Sequence, residues 1–258
     1  MIARIPFTSC PLCAATTLKD VGSADCTRHP LYKPELPPTI AWRQCLACEH
    51  VFTDGYFDGT ATALIFSGTH THQQVGHDAE RQRMVSARMV EKVLLHAKSG
   101  PWLDVGFGNG SLLFTAQEYG FDPVGVDLRA ENVAVMNKLG IPAHCADLAS
   151  LKLERPCAVV SLADVLEHMP FPKTGLAAAH RLLGEGGIAF ISMPNRAAML
   201  WRILDAQQAN PFWGELEHYH NFTRERLYAL LRETGFEPVS YGVSERYRAC
   251  MEVVARKA

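Results

Sequence analysis

The stretch Trp102-Leu103-Asp104-Val105-Gly106-Phe107-Gly108-Asn109-Gly110-Ser111-Leu112-Leu113 decides the fold. Its apolar start, Trp102–Val105, reads as a short buried strand. Three glycines follow at every second position, and an apolar run of helical character begins beyond Gly110. A strand that turns sharply into a helix needs backbone without Cβ atoms, both for positive φ and for close approach of a ligand. The helix start offers N–H groups with no intrahelical partner. Such a corner is suited to a nucleotide. It departs from the dinucleotide fingerprint, whose third glycine would fall at Ser111, and it lacks the lysine of a P-loop.

Downstream, strands and helices alternate. Pro123–Asp127, Ile141–Cys145, Ala158–Leu162 and Gly187–Ser192 read as strands. Ser111–Tyr119, Ala130–Leu139 and Pro172–Leu183 read as the helices between them. Alternation of this kind predicts a parallel sheet covered by helices on both faces, with ligands at the carboxyl ends of the strands beside the switch point. After the fifth strand the pattern changes. Arg196–Gln207 reads as a helix, Asn210–His220 as an aromatic-rich irregular segment, and Thr223–Thr234 as a helix capped by Thr223. Phe236–Val243 and Tyr247–Ala255 read as two closing strands. Upstream, Asp78–Lys98 reads as a helix with Met84, Ala87, Val90, Val93 and Leu94 on one face, stopped by Gly100-Pro101. Residues 55–75, rich in Gly, Thr and His, read as a linker or lid.

Asp127 ends the second strand, seventeen residues after Gly110. A carboxylate there can accept both hydroxyls of a ribose, a role that NAD-binding and S-adenosylmethionine-binding proteins share. The N-terminal region carries a different signal. Cys10-Pro-Leu-Cys13 and Cys45-Leu-Ala-Cys48 are two C-x-x-C knuckles thirty-one residues apart. Together Cys10, Cys13, Cys45 and Cys48 predict a closed, structural Zn²⁺ site on a ribbon that ends near Tyr56. Cys26 and His29, at C-x-x-H spacing, are alternative ligands, and His50 reads as a surface histidine. His70, His72 and His77 have loose spacing and no carboxylate cluster, so no second metal site is expected there.

The composition, 48% hydrophobic and 20% charged over 258 residues, is that of an ordinary soluble globular protein. A net charge of −2 argues against electrostatically driven nucleic-acid binding, and no membrane span is expected. The start, Met1-Ile2-Ala3-Arg4-Ile5-Pro6, lacks the apolar core of a secretory signal, so the expected compartment is cytoplasmic. The sequence leaves the oligomeric state open.

The Asp-x-Gly-x-Gly-x-Gly of Asp104, Gly106, Gly108 and Gly110 resembles that of class I S-adenosylmethionine-dependent methyltransferases. Ala163-Asp-Val-Leu-Glu-His168 resembles the segment after their fourth strand, and Cys145-Ala-Asp147-Leu148 the one after their third. Glu217-His-Tyr-His-Asn-Phe-Thr223, with Gly235-Phe236, is similar to the methyltransferase type 11/23 group, and Trp42–Phe52 resembles the zinc-ribbon leader of its bacterial members. The resemblance implies a Rossmann-like α/β fold, a mostly parallel seven-stranded sheet with a terminal antiparallel hairpin, plus the small N-terminal zinc ribbon. The implied division is 1–56 ribbon, 57–100 linker and helix, and 101–258 cofactor-binding domain.

The resemblance also implies roles. S-adenosylmethionine would be held by Asp104, Gly106, Gly108, Gly110, Asp127, Leu128, Asp147, Leu148 and Ala163, with S-adenosylhomocysteine as product. His168 is the first candidate for the base that prepares the acceptor, followed by His218 and His220. Phe212, Trp213 and Tyr219 form either an apolar substrate wall or ordinary core. The expected acceptor is a small molecule, methylated on oxygen, nitrogen or carbon. RNA or a protein docked through the ribbon is the alternative, and a non-catalytic cofactor-binding protein the next. Sugar C-methyltransferases with a similar ribbon carry a large extra C-terminal domain, whereas this chain ends at Ala258, so a sugar is not the expected acceptor.

Overall fold

The computed structural model describes residues 2–65, 71–247 and 249–258. The chain forms two compact units. One comprises Met1–Gly68, Glu167–Pro172 and Pro194–Leu230, and the other Thr69–Leu166, Lys173–Met193 and Leu231–Ala258. The expected 1–56 module lies in the first unit together with 194–230, whereas 57–100 and 101–258 are each divided between both.

The second unit holds the expected seven-stranded sheet. Its order is Phe236–Val243, Cys250–Lys257, Leu183–Pro194, Cys157–Ala163, Gly100–Val105, Phe121–Asp127, Ala143–Cys145. The last five strands of that order pair in parallel, and Phe236–Val243 pairs antiparallel with Cys250–Lys257. Leu103 sits opposite Val160 on one side and Val124 on the other. The strand order therefore reverses at Gly100–Val105, which makes its carboxyl end the switch point where α/β sheets bind ligands. Val-, Ile- and Leu-rich strands suit a sheet buried on both faces. Trp102, Phe121, Val159 and Phe190 are buried with Met89, Val90 and Val93 of the helix Ala79–Leu94. Each such side chain removed from water contributes roughly 1.5–3 kcal/mol.

Two expectations change here. Met84 is exposed, and Ser86 takes an inward position, with its hydroxyl 2.9 Å from that of Ser111. Gly100-Pro101 opens the strand as well as following the helix, because Gly100 at φ 103° pairs with Phe121.

The first unit contains a four-stranded antiparallel sheet in the order His220–Asn221, Val51–Thr53, Thr39–Cys45, Leu18–Asp25. Ile5–Pro6 pairs separately with Gly55–Tyr56. Within it Ile40, Trp42, Val51 and Phe57 are buried with Leu216 and Tyr219. The segment Asn210–His220, read as irregular, thus supplies a strand end and part of a core. Part of residues 55–75 is also ordered: Gly55–Tyr56 is a strand and Gly59–Ile65 a helix. His70 lies outside the described residues. Among those described, no helix is long and apolar enough to cross a membrane.

Gly110, the turn into helix Ser111–Glu118, has φ 75°, and a Cβ there would lie 2.3 Å from Met136 Cε and 3.2 Å from the Phe114 ring. Gly110→Ala is expected to lower the unfolding free energy by about 1–3 kcal/mol, the usual cost of a left-handed non-glycine residue. Urea unfolding of the two proteins measures it; an unchanged midpoint would show that the turn relaxes freely.

Candidate functional site

In the second unit the glycine loop caps the central strand. Gly106 and Gly108 have φ 64° and 52°, and a Cβ on Gly108 would meet nothing nearer than the Gly106 carbonyl, at 3.9 Å. The loop thus keeps an open face of bare backbone. Its Gly108 N–H donates to Asp127 Oδ2 at 3.2 Å. The Arg129 N–H donates to Asp127 Oδ1 at 2.9 Å, and the Arg129 guanidinium lies 3.3 Å from Oδ2. Asp127 is buried, and a carboxylate offers about four lone-pair sites. Its acceptor capacity exceeds these donors, which suits a ligand bearing hydroxyls.

Asp104 lies beneath the loop, buried, with Oδ1 accepting from Ser161 Oγ at 2.6 Å. Trp102 Nε1 donates to the same Ser161 oxygen at 2.9 Å. Burial pushes the Asp104 carboxyl up to about 7, and the Ser161 hydrogen bond opposes the shift. A recess at this end of the sheet is lined by Asp104, Gly106, Asn109, Ser111, Ala163 and Arg246. Arg246 was not foreseen. It belongs to the connection between the last two strands, and its guanidinium lies 3.2 Å from Asp164 Oδ2. Asp164 has φ 57°, accepts from Ser192 Oγ at 3.0 Å, and has its carboxyl raised by burial against the pull of Arg246. Asp147 is exposed and caps the Ala149 N–H at 2.7 Å; Leu148 is buried and Leu128 exposed.

The four knuckle cysteines, all in the first unit, converge. Cys10 Sγ is 3.7 Å from Cys48 Sγ and Cys13 Sγ 3.5 Å from Cys45 Sγ, all four lying within 4.8 Å of one another. A disulfide requires about 2.05 Å. Tetrahedral zinc at about 2.3 Å from each sulfur spaces the sulfurs by about 3.8 Å. The N–H groups of Leu12 and Cys13 point at the Cys10 sulfur, and those of Ala47 and Cys48 at the Cys45 sulfur. Donor set and spacing both fit the ion. Cys26 donates instead to the Pro37 carbonyl at 3.2 Å, and His29 Nε2 meets Glu215 Oε2 at 2.7 Å, so neither joins the cluster.

The candidate histidines belong to the same unit. His220 is buried with both ring nitrogens engaged: Nε2 donates to the Met169 carbonyl at 3.0 Å, and Nδ1 accepts from His50 Nε2 at 3.0 Å. Burial brings His220 down to about 4 and holds His50 well below the usual imidazole range. His50 is therefore a core residue, contrary to the surface position expected. His218 is buried and likewise held well below the ordinary range, by desolvation first and by His168, His29 and His220 next. His168, half-buried, donates from Nδ1 to the Glu217 carbonyl at 3.2 Å. Its ring lies edge-on to that of His218, with centroids 4.6 Å apart. Trp213 packs against Trp42 and Trp201, and Phe212 stacks on Trp201; Phe212 and Trp213 are half-buried, whereas Tyr219 is buried.

Comparison with known proteins adds the following. A family model described as "Methyltransferase domain" matches residues 77–241. The ubiquinone biosynthesis O-methyltransferase of Idiomarina loihiensis is 32% identical over 107 residues, 38% of this chain and 44% of that protein. Its counterpart from Nitrosococcus oceani is 30% identical over 147 residues, 52% of this chain and 62% of that one. The matched region thus spans less than two thirds of these relatives. Among solved structures, the Burkholderia thailandensis 1,6-didemethyltoxoflavin-N1-methyltransferase, with bound 1,6-didemethyltoxoflavin and S-adenosylhomocysteine, has a TM-score of 0.58 and 22% identity, covering 83% of this chain and 98% of that one. An S-adenosylmethionine-dependent methyltransferase from Archaeoglobus fulgidus has a TM-score of 0.55 and 18% identity, covering 68% of this chain and 94% of that one. At these identities the structures show the likeness of fold.

Asp104 generates a pH prediction. Burial holds its folded carboxyl up at about 7, against about 4 for an ordinary aspartate. Between those values the folded state binds the extra proton, so stability falls as pH rises from 4 through 7. Asp104→Asn removes this contribution. Compared with the native chain, the variant should gain stability on going from pH 5 to pH 8, by on the order of 1–3 kcal/mol. Urea titrations at both values test it, and a difference between the two proteins that does not change with pH would exclude a raised Asp104.

Proposed function

The chain belongs to the methyltransferase-domain family, and from that premise we propose that it transfers a methyl group from S-adenosylmethionine to an oxygen or nitrogen of a small molecule, releasing S-adenosylhomocysteine. The observation that carries this reading is the left-handed Gly106–Gly110 loop at the switch point, with its Gly108 N–H on the buried Asp127 carboxylate. Open backbone, a hydroxyl-accepting acid and a strand-reversal crevice fit an adenosyl ligand. The O-methyltransferase relatives, which act in ubiquinone biosynthesis by name, support a small-molecule acceptor.

In this proposal Asp104, Gly106, Gly108 and Gly110 hold the methionine end, Asp127 and Leu128 the ribose, and Asp147 and Leu148 the adenine. Ala163 lines the recess. The cofactor supplies a methyl already activated on a sulfonium. The chain's own contribution is then orientation, exclusion of water and removal of the acceptor's proton. We assign acceptor activation to His168 and His218. With Nδ1 of His168 donating to a carbonyl, its Nε2 carries the lone pair. His220, with both nitrogens used, holds the segment in place. Cys10, Cys13, Cys45 and Cys48 hold a structural zinc. Thiolate use of this kind favours a reducing, cytoplasmic location.

Two measurements test this. Calorimetry should show binding of S-adenosylmethionine but not NAD, with Asp127→Ala weakening it by about 1–3 kcal/mol. Equal affinity for NAD, or an unaffected Asp127→Ala, would defeat the cofactor assignment. With methyl-labelled cofactor and a panel of phenolic and amine acceptors, His168→Ala should keep cofactor affinity and lose about 10²–10⁴-fold in turnover. Full turnover in that variant would remove His168 from the reaction.

Metal analysis after dialysis should find about one zinc per chain, lost in Cys45→Ser. Free titration of Cys10, Cys13, Cys45 and Cys48 alongside the other four thiols in freshly purified protein would argue that no zinc is held.

A further inference from the structure

Among the described residues of the first unit, two groups of side chains apart from the cysteines place three metal-ligating atoms within 4.8 Å of one another: Glu167, His168 and His218, and His29, Glu215 and Glu217. Their hydrogen bonds separate them. His29 Nδ1 accepts from the Leu31 N–H at 3.2 Å, so it carries the lone pair. Nε2 then bears the proton and donates to Glu215 at 2.7 Å, with Glu217 Oε2 at 3.3 Å. That ring turns a proton, not a lone pair, toward its carboxylates. The group is a hydrogen-bonded cluster.

The other group has the opposite polarity. His168 Nδ1 must be the protonated nitrogen, because its partner at 3.2 Å is the Glu217 carbonyl oxygen. In the neutral ring Nε2 then carries the lone pair, and the Nδ1 bond orients the ring as outer hydrogen bonds orient metal-ligating imidazoles. His218 is 93% buried, from an exposure of 7%, and its Nδ1 has no hydrogen-bond partner. An orphaned buried nitrogen is costly to the fold unless something meets it. Glu167 adds a carboxylate on a residue only 1% exposed. The two contributing segments are fixed to each other by the Tyr219 N–H on the Glu167 carbonyl at 2.9 Å, as well as by the His168 bond.

We propose that Glu167, His168 and His218 form a second metal site, distinct from the four cysteines, for a divalent transition ion. Two imidazoles and one carboxylate suit Zn²⁺, Mn²⁺, Fe²⁺ or Co²⁺ rather than a thiolate-seeking ion. An ion held at roughly 2.0–2.2 Å by all three would space its ligand atoms by about 3.4 Å, and these atoms lie within 4.8 Å of one another. The ion meets the orphaned His218 nitrogen and the buried carboxylate together. Three protein ligands leave coordination positions open, the arrangement in which an outside oxygen donor binds. With the ion bound, the His168 lone pair is engaged, so the ion rather than that nitrogen would favour loss of the proton from an acceptor hydroxyl in an open position; that use rests on the methyl-transfer reading, and the site itself does not.

The test uses the full chain, stripped with a chelator and titrated with Co²⁺ under reducing conditions. The expected result is about two equivalents. One shows thiolate charge-transfer absorption in the near ultraviolet and intense visible bands, and the other only weak visible bands of nitrogen and oxygen ligation. Glu167→Gln and His218→Ala should each abolish the weak-band equivalent, or weaken it by at least the roughly 10–100-fold that loss of an outer partner alone costs. The thiolate spectrum should persist, which shows that the unit is still folded, and His29→Ala should retain both equivalents. A native chain that binds only the thiolate-type ion overturns the proposal, as does a second ion indifferent to Glu167→Gln and His218→Ala. S-adenosylmethionine affinity, measured in parallel, keeps failure of this site distinguishable from failure of the methyl-transfer reading.

Discussion

One hydrogen bond between two buried imidazoles organises the first unit. His220 Nε2 gives its proton to the Met169 carbonyl, so Nδ1 must accept, and His50 Nε2 must donate. The tautomers are fixed in series, and both rings are held neutral by burial. Breaking the chain at any point would strand a polar atom in the core, at about 1–3 kcal/mol. The same bond sets the register in which His220 lies opposite Phe52 and Asn221 opposite Val51. Through that register Tyr219 gives its carbonyl to the Thr53 N–H, and the preceding residues Glu215, Glu217 and His218 take up their places.

The second unit depends on a different constraint. Its ligand corner requires left-handed backbone at Gly106, Gly108 and Gly110, conformations that a Cβ would oppose. Around it lie acids in unlike states. Asp104 is deep, bonded to Ser161 and raised toward neutrality. Asp164 is left-handed and held against Arg246. Asp127 sits at a strand end among N–H donors. Side chains of one chemistry therefore serve separate purposes, and solvation and nearby donors decide which.

Much of this was legible in the chain itself. The glycine spacing after Trp102–Val105, the acid at Asp127 and the alternation of strand and helix gave the parallel sheet and the position of its switch point. They did so because each is a local rule: positive φ demands glycine, and a buried parallel strand demands an apolar run. Where a local signal competed with packing, the reading slipped. Met84 fits the helical period yet is exposed, and Ser86 turns inward because the Ser111 hydroxyl waits there. The paired knuckles Cys10–Cys13 and Cys45–Cys48 announced a four-sulfur cluster through spacing alone, and the sulfurs do converge.

The tertiary structure decided what depends on residues far apart in sequence. His50 was indistinguishable from a surface histidine until His220, 170 residues later, was placed against it. Leu18–Asp25 was missed as a strand because its residues are mostly exposed and show no alternation, so only pairing with Thr39–Cys45 defines it. Arg246 carries no periodic signal, and its meaning comes from Asp164, 82 positions away. Which histidines present a lone pair and which a proton was likewise beyond the sequence. A tautomer is set by the partner of the other ring nitrogen, and those partners, the Glu217 carbonyl for His168 and the Leu31 N–H for His29, are fixed only when the chain has folded.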